Sequence, residues 1–549
     1  MEKMVSIALC MLLLSSMPPM AIAQGTDDDD QHETRVEALS NDLLRVVESF
    51  DPLLLQRTGP GPGYYDTSEY LIGSVALGVI FLESNGVNDP NTENWTSTEV
   101  ASVRSEINQT ITWWAAQNSY AGITFALDVQ LNVQISYEPI IHPSPFTDPA
   151  WEKLWVSEAM ASLGYTSGDW MKRTRDYLNA IRLTYSTDWA YAVYIVDSSA
   201  DIDGCFSDGY SAYGYLGGPF VVMTYDNGGW GIAGMDQVFA HETGHIFWAT
   251  DEYNGVTEYS GYLNAADVEG SGCLMDTNVL TLSSGTQLQV GWRDTDGDTI
   301  LDIIDTFPET TVIPYTPDPT SNHILVYTGN AMDVAYPNQN PQPSDPGNDI
   351  TLNCIVLVLY RIDGGTYMPT APSDGAWDEW QEGYTFTTVY LPSGSHLIEV
   401  VSMNSVSNVD QTPARDTVTV DNPPNNPTIS GPASGRPRVE YSYNVSTVDS
   451  DGDQVSFFID WGDGTTSGWL GPVASGGSVM AKHTWSTKGN YTIQAKARDP
   501  LSMESGWGTL QVAIPVHTPA NQGFMFLDWG HHPFLNLLLQ ILMQWQGNR

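Results

Sequence analysis

Two histidines four positions apart, with a glutamate directly after the first, stand at His241-Glu242-Thr243-Gly244-His245. On a helix, positions i and i+4 share one face, so both imidazoles can reach one metal ion. Glu242 falls beside them, within reach of a water on that metal, as a general base. A catalytic metal of this kind needs a third protein ligand and an open fourth position. Two acidic residues follow closely, Asp251 and Glu252. Either Asp251 or Glu252 could be that third ligand; Glu269 is a more remote choice.

The surroundings of the motif resemble the metzincin zinc metallopeptidases. Asp251 comes ten residues after His241, where that family places its third ligand, and Cys273-Leu274-Met275-Asp276 resembles its Met-turn. The resemblance implies Zn²⁺ held by His241, His245 and Asp251, with Glu242 as general base and hydrolysis of peptide bonds as the reaction. It implies that Met275 packs beneath the metal without binding it. In that family an edge strand ahead of the active-site helix takes the substrate backbone; Phe220–Tyr225 is the matching stretch, and an ordinary core strand is an equal reading of it. Tyr253 and Tyr259 are the candidates for oxyanion stabilisation. One position departs from the pattern: Trp248 stands where the family has glycine. That glycine leaves the helix with positive φ, which is costly for a tryptophan. The path from the helix to Asp251 is therefore expected to differ.

The elements that must carry this constellation can be read from the apolar pattern. Ser74–Glu83 is an unbroken apolar run, expected to be a buried strand. Ser97 to about Gln117, Ala150–Leu163, Asp169–Thr184 and Met235–Trp248 read as helices. Ile123–Ile141, Tyr191–Val196 and Phe220–Thr224 read as strands. Alternating strands and helices predict an α/β (α+β) layout over residues 65–290, with the metal helix late in it. Cys205 and Cys273 both fall in this region and are plausible disulfide partners; Cys354 lies in an apolar run and reads as a buried thiol.

Lys and Arg number 20 against 66 Asp and Glu, a net charge of −46 over 549 residues. So acidic a surface argues against nucleic acid or an anionic membrane as partner. It suits salty water and divalent cations. Residues 1–23 read as a signal peptide, with Lys3, an apolar core and Ala21-Ile22-Ala23 as cleavage site. The apolar run is too short to span a bilayer, so export without a transmembrane anchor is expected. Residues 24–64 form an acidic, Pro/Gly-rich segment with one helix.

After the peptidase-like region comes an Asp-rich loop, 291–309. Asp294, Asp296, Asp298, Asp302 and Asp305 have the spacing of oxygen ligands for Ca²⁺. Short strands then predict a β-sandwich over 310–421, which resembles an immunoglobulin-like module. Residues 424–515 carry Trp461-Gly462-Asp463-Gly464, then His483-Thr484-Trp485 and Ala495-Lys496-Ala497-Arg498-Asp499. That pattern resembles a PKD domain. Asp449, Asp451 and Asp453 within it fit a weak calcium loop or plain turn chemistry equally well. The tail, 516–549, ends in a short amphipathic helix.

The expectation is thus multidomain: an α/β (α+β) metzincin-like peptidase domain followed by two β-sandwich modules. The implied activity is a secreted zinc metalloendopeptidase acting on protein or peptide substrates, with Zn²⁺ and Ca²⁺ as cofactors. The β modules would bind protein, polysaccharide or a cell surface. The alternative is a non-catalytic extracellular adhesion protein with a zinc-binding domain.

Overall fold

The computed structural model describes residues 62–91, 93–345 and 347–515. The expected signal peptide, most of segment 24–64 and the tail helix lie outside the described residues.

An apolar run without polar interruption folds as a strand covered on both faces. Ser74–Ser84 (β1) is buried along nearly its whole length. Then follow α1 (Ser97–Gln117), β2 (Thr124–Ile135), α2 (Pro149–Ser162), α3 (Trp170–Tyr185), β3 (Trp189–Val196), β4 (Ala212–Gly214), β5 (Phe220–Thr224) and α4 (Met235–Ile246). Each of the first three helices opens on a side-chain cap. At α1 the cap is reciprocal: Glu99 N–H donates to Thr96 Oγ1 and Thr96 N–H to Glu99 Oε2, which satisfies two orphan donors at once.

The five strands form one sheet in the order β2-β1-β3-β5-β4. The pairs β1/β2, β1/β3 and β3/β5 are parallel, and β4 runs antiparallel to β5. Successive side chains of a strand face opposite sides, and the core divides accordingly. Val75, Leu77, Val79, Tyr191 and Val193 pack with residues of α1 and α4. Ala76, Ile80, Ala192 and Tyr194 pack with residues of α2 and α3. Helix α4 therefore lies on one face of the sheet, next to β4 and β5. The expected substrate strand needs correction here. Phe220–Thr224 is interior, paired on both sides and fully buried; the edge strand beside it is Ala212–Gly214. The short polar stretch around β4 gave no strand signal, whereas β5 is a plain apolar run.

Beyond α4 the chain forms a two-stranded ladder, β6 (Tyr259–Ser260) and β7 (Ala265–Ala266), then α5 (Leu274–Thr277) and α6 (Ser284–Gln289). The first sandwich comprises β8 (Pro308–Val312), β9 (Val326–Asp333), β10 (Ile355–Ile362), β11 (Met368–Pro369), β12 (Ala371–Pro372), β13 (Gln381–Thr387), β14 (Gly394–Asn404) and β15 (Ala414–Val420). Its sheets run β12-β13-β9-β8 and β11-β10-β14-β15. The second comprises β16 (Thr428–Ser430), β17 (Tyr441–Ser446), β18 (Val455–Asp460), β19 (Thr466–Val473), β20 (Ser478–His483), β21 (Gly489–Arg498) and β22 (Gly508–Ile514). Its sheets are β16-β17-β20 and β19-β18-β21-β22, around Trp461, Trp485 and Tyr443.

The chain divides into two compact units. One runs to Tyr315 and includes Val326–Thr388 and Leu397–Thr417; the other holds Thr316–Leu325, Val389–His396 and everything from Val418. The α/β part and most of the first sandwich fall within one of these units. Ile350 and Leu352 belong to the same buried cluster as Tyr70 and Trp292, and the Tyr262 hydroxyl donates to the Tyr336 carbonyl at 2.7 Å. Among the described residues, no helix is long and apolar enough to cross a membrane.

Candidate metal centre

Helix α4 places His241 and His245 one turn apart, with ring centroids 4.9 Å apart and planes nearly perpendicular. His241 Nδ1 lies 2.9 Å from the Leu274 carbonyl and His245 Nδ1 2.8 Å from the Ala249 carbonyl. A carbonyl only accepts, so each Nδ1 carries a proton, and Nε2 is the nitrogen left to face a metal once it gives up any proton of its own. Both Nε2 atoms face Asp251 Oδ1, at 3.1 Å from His241 and 3.5 Å from His245. The three donor atoms lie within 4.8 Å of one another. Two imidazole nitrogens and a carboxylate oxygen, each imidazole oriented by a backbone carbonyl, form a donor set that fits Zn²⁺.

Glu252, the alternative third ligand, is spoken for. It is fully buried. Ser283 Oγ and Thr286 Oγ1 donate to its Oε1 at 2.5 and 2.9 Å, and Cys273 Sγ lies 3.1 Å from its Oε2. Its backbone N–H donates to the Met275 carbonyl. Glu252 ties the Met275 segment to α6, while its neighbour Asp251 faces the histidines. Glu269 Oε2 accepts from Gly255 N–H, away from the histidines.

The electrostatics of the metal-free centre follow from this geometry. Burial disfavours the Asp251 charge, but hydrogen bonds from both imidazoles outweigh it and hold the carboxyl below the ordinary range. Burial would lower His245; the Asp251 hydrogen bond and the charges of Glu242 and Asp251 instead raise it to about 9. Glu242 is only 8% exposed. Burial raises its pKa, against the pull of the two imidazoles. The Gly214 backbone N–H, on edge strand β4, stands at its carboxylate.

Two tight contacts explain residues inside the motif. A Cβ on Gly244 would come 2.7 Å from Met275 Sδ. The absence of a side chain there lets Met275, wholly buried on α5, lie directly beneath the helix. Trp248 does adopt φ +73°, so the left-handed turn is kept despite the expected difference. That conformation costs an L-residue about 1–2 kcal/mol. Its indole is buried and lies where a Cβ on Gly217 would sit, 2.3 Å from Trp248 Cζ2. Burying an indole contributes roughly 4–6 kcal/mol, enough to offset the strain.

Tyr253 lies beside Asp251, whose charge, with burial, pushes its hydroxyl pKa upward. Tyr259 is on β6, exposed, with its carbonyl accepting from Gln342. Sequence reading missed β4, Gly214 and the buried hydrogen bond between Tyr191 and Thr243 hydroxyls at 3.1 Å. None of these has a spacing signature.

The Asp-rich loop is only partly as expected. Asp294, Asp296 and Asp298 come together. Asp302 does not join them: Arg293 Nε, Thr295 N–H and Thr295 Oγ1 all donate to it. Asp305 accepts from Asn408 Nδ2 at 2.6 Å. The loop turns at Gly297 and sends the two later carboxylates to neighbouring donors. Within the trio, Asp294 accepts from Gly297 and Thr299 N–H, Asp296 from Asp298 N–H, and Asp298 from Ile300 N–H. In the second sandwich Asp449 Oδ1 likewise accepts from the backbone of Asp451 and Asp453, and His483 pairs with Asp463 while stacking on Trp461.

The expected disulfide is absent. Cys205 and Cys273 are both free thiols. Cys273 faces Glu252, whereas Cys205 lies against Gly228 with its thiol near the Asp203 carbonyl. Cys354 is a buried free thiol, as its apolar surroundings predict.

No family model matches the chain, and no curated protein matches it. Among solved structures it is similar to the PKD domain of an M14-like peptidase from Thermoplasmatales archaeon SCGC AB-540-F20, at 47% identity over 18% of this chain and 99% of that one, with a TM-score of 0.17. The PKD domain of the human VPS10 domain-containing receptor SorCS2 follows at 16% identity, 17% of this chain, 75% of that one and TM-score 0.13. A tetra-tandem repeat from the extending region of a large adhesion protein shows 17% identity, 38% and 49% coverage and TM-score 0.17.

Proposed function

We propose that this chain, which carries a PKD domain by its 47% identity to a complete one, is a secreted zinc-dependent metalloendopeptidase of metzincin type. The observation that carries the reading is the convergence of His241 Nε2, His245 Nε2 and Asp251 Oδ1 beside a buried glutamate that takes no part in it.

Bound there, Zn²⁺ would supply Lewis acidity, polarising a scissile carbonyl and acidifying a water. His241, His245 and Asp251 would hold it, and the carbonyls of Leu274 and Ala249 keep the imidazoles aimed. Glu242 accepts the water's proton and returns it to the leaving amine. Its desolvated carboxyl, with a raised proton affinity, suits both steps. The free edge of β4 offers backbone donors and acceptors to an extended peptide. Gly214 joins that edge to Glu242, so a peptide laid along β4 passes the general base. Tyr253, beside Asp251, is the candidate donor to an oxyanion.

The test is casein hydrolysis by the full chain with and without chelator, beside Glu242→Ala. Hydrolysis that chelator abolishes, zinc restores and the substitution removes, with zinc content unchanged, supports the reading. Equal activity in the variant overturns it. An adhesion protein would bind zinc and hydrolyse nothing.

A further inference from the structure

Edge strand β4 presents two different faces. Side chains alternate across a strand. Tyr213 and Tyr215 pack on the side of the sheet covered by α2 and α3, so Gly214 faces α4. A Cβ on Gly214 would come 2.9 Å from the Glu242 carbonyl oxygen, 3.1 Å from Glu242 Oε2 and 3.4 Å from His245 Cβ. Only glycine lets the strand lie this close to the helix. Backbone pairing alternates as well. Thr224 N–H donates to the Ser211 carbonyl and Tyr215 N–H to the Phe220 carbonyl, so residues 211, 213 and 215 turn their backbone groups toward β5. Gly214 turns its own outward, which brings its N–H to the Glu242 carboxylate.

On the other face of β4 one residue grips both tyrosines. Tyr213 Oη donates to Glu152 Oε1 at 2.9 Å and Tyr215 Oη to Glu152 Oε2 at 2.7 Å. Glu152 lies in the first turn of α2 and is 2% exposed. Burial raises its pKa, and the two phenols oppose that more than Lys153 does. Burying a carboxyl is unfavourable, and an apolar side chain of the same size would fill the space without that penalty. What the carboxyl adds is direction: two short hydrogen bonds fix where both tyrosines sit, and with them the residue between. The turn after β4 is tied to the helix in the same way, because Gly217 N–H donates to the His245 carbonyl at 2.9 Å.

We infer that Glu152 is a positioning residue: through Tyr213 and Tyr215 it fixes β4 so that Gly214 keeps the Glu242 carboxylate in place and the strand's free edge in line with it. The consequence for catalysis rests on the peptidase reading above. Glu152 acts from the opposite face of the sheet, through β4. Loosening β4 therefore disturbs the general base and the edge that takes the peptide together.

The experiment compares the zinc-loaded full chain with Glu152→Gln, in which one carboxylate oxygen becomes a donor and a tyrosine loses its acceptor. With an extended peptide substrate, KM should rise about fivefold and kcat per bound zinc should fall about tenfold. A purely structural role would lower the folded fraction and leave KM where it was. A second variant joins Glu152→Met to Tyr213→Phe and Tyr215→Phe. It removes donors and acceptor together and leaves no carboxyl unpaired, which covers the case in which Glu152→Gln fails to fold, and it should show the same two changes. Wild-type KM and kcat per zinc in either folded variant overturn the inference. Amide hydrogen exchange at Gly214, read on the same samples, needs no hydrolysis and should quicken about threefold or more in both variants; unchanged exchange also overturns it. If the unaltered chain hydrolyses nothing while Gly214 exchange responds as expected, the peptidase reading fails and the hold of Glu152 on β4 stands.

Discussion

The histidine centre and the Asp-rich loop both follow from ligand spacing, yet the fold treats them differently. At the first, each imidazole has an outer partner: the Leu274 and Ala249 carbonyls hold them, and Met275 fills the space under Gly244. The donor atoms of the two imidazoles face Asp251 Oδ1. At the second, each carboxylate already accepts backbone N–H groups of its own turn, and the loop is largely exposed. A preorganised site spends its hydrogen bonds behind the ligands; a turn spends them on the ligands. The difference teaches that ligand spacing is a weaker sign of a metal than what the far side of each ligand does.

The sharpest way to break the comparison is at Glu242. Glu242→Gln keeps the shape and removes the base, and should lower hydrolysis by about 10²–10⁴-fold, the usual worth of general base catalysis. Zinc content, measured on the same sample, should not change. Next is the third ligand. Asp251→Ala should abolish tight zinc binding and with it hydrolysis, whereas Glu252→Gln should leave zinc bound and lower thermal stability, because Glu252 holds Ser283 and Thr286. If Glu252→Gln removed zinc and Asp251→Ala did not, the assignment of ligand would be reversed.

Acidity gives a third lever. In the metal-free protein His245 stays protonated up to about 9, so zinc must displace a proton at neutral pH. Zinc affinity should rise about tenfold per pH unit from 7 toward 9 and level off above it. The raised pKa also means that the metal-free fold draws stability from this proton below the unfolded histidine's pKa and loses it as pH climbs through 9. Titration calorimetry in buffers of different ionisation enthalpy reads the released proton directly. The 294–298 loop, with no histidine, should show no such step.

How much of this was legible in the residues depends on what kind of signal each feature leaves. The helix Met235–Ile246 and its two histidines follow from spacing, the packing of Met275 from the resemblance at Cys273–Asp276, and β1, β3 and β5 from apolar runs. The edge strand Ala212–Gly214 is three residues among glycines and tyrosines and has no pattern to find. The fate of Asp302 depended on Arg293 and Thr295, and that of Asp305 on Asn408, over a hundred residues away. Spacing reports which atoms could meet a metal, but not which have been claimed by a donor elsewhere. Trp248 is the reverse case: local rules argue against φ +73°, and Gly217, distant in sequence, makes room for the indole that offsets it.

Two glycine substitutions give the smallest and most diagnostic contrast. Gly244→Ala in the metal helix drives a methyl to 2.7 Å from Met275 Sδ, so either the thioether or the helix must shift. Overpacking of this kind costs about 1–3 kcal/mol, and because the shift is directly under His241 and His245, zinc affinity should fall with it. Gly297→Ala in the Asp-rich loop meets no atom within 4 Å, and its cost is the positive φ of +80° alone, about 1 kcal/mol. The two variants would therefore lose stability by overlapping amounts, but only Gly244→Ala should lose zinc. Melting temperature against zinc content for the pair separates them. Equal zinc loss in both would mean that the loop and the centre are coupled and that the contrast drawn between them is wrong.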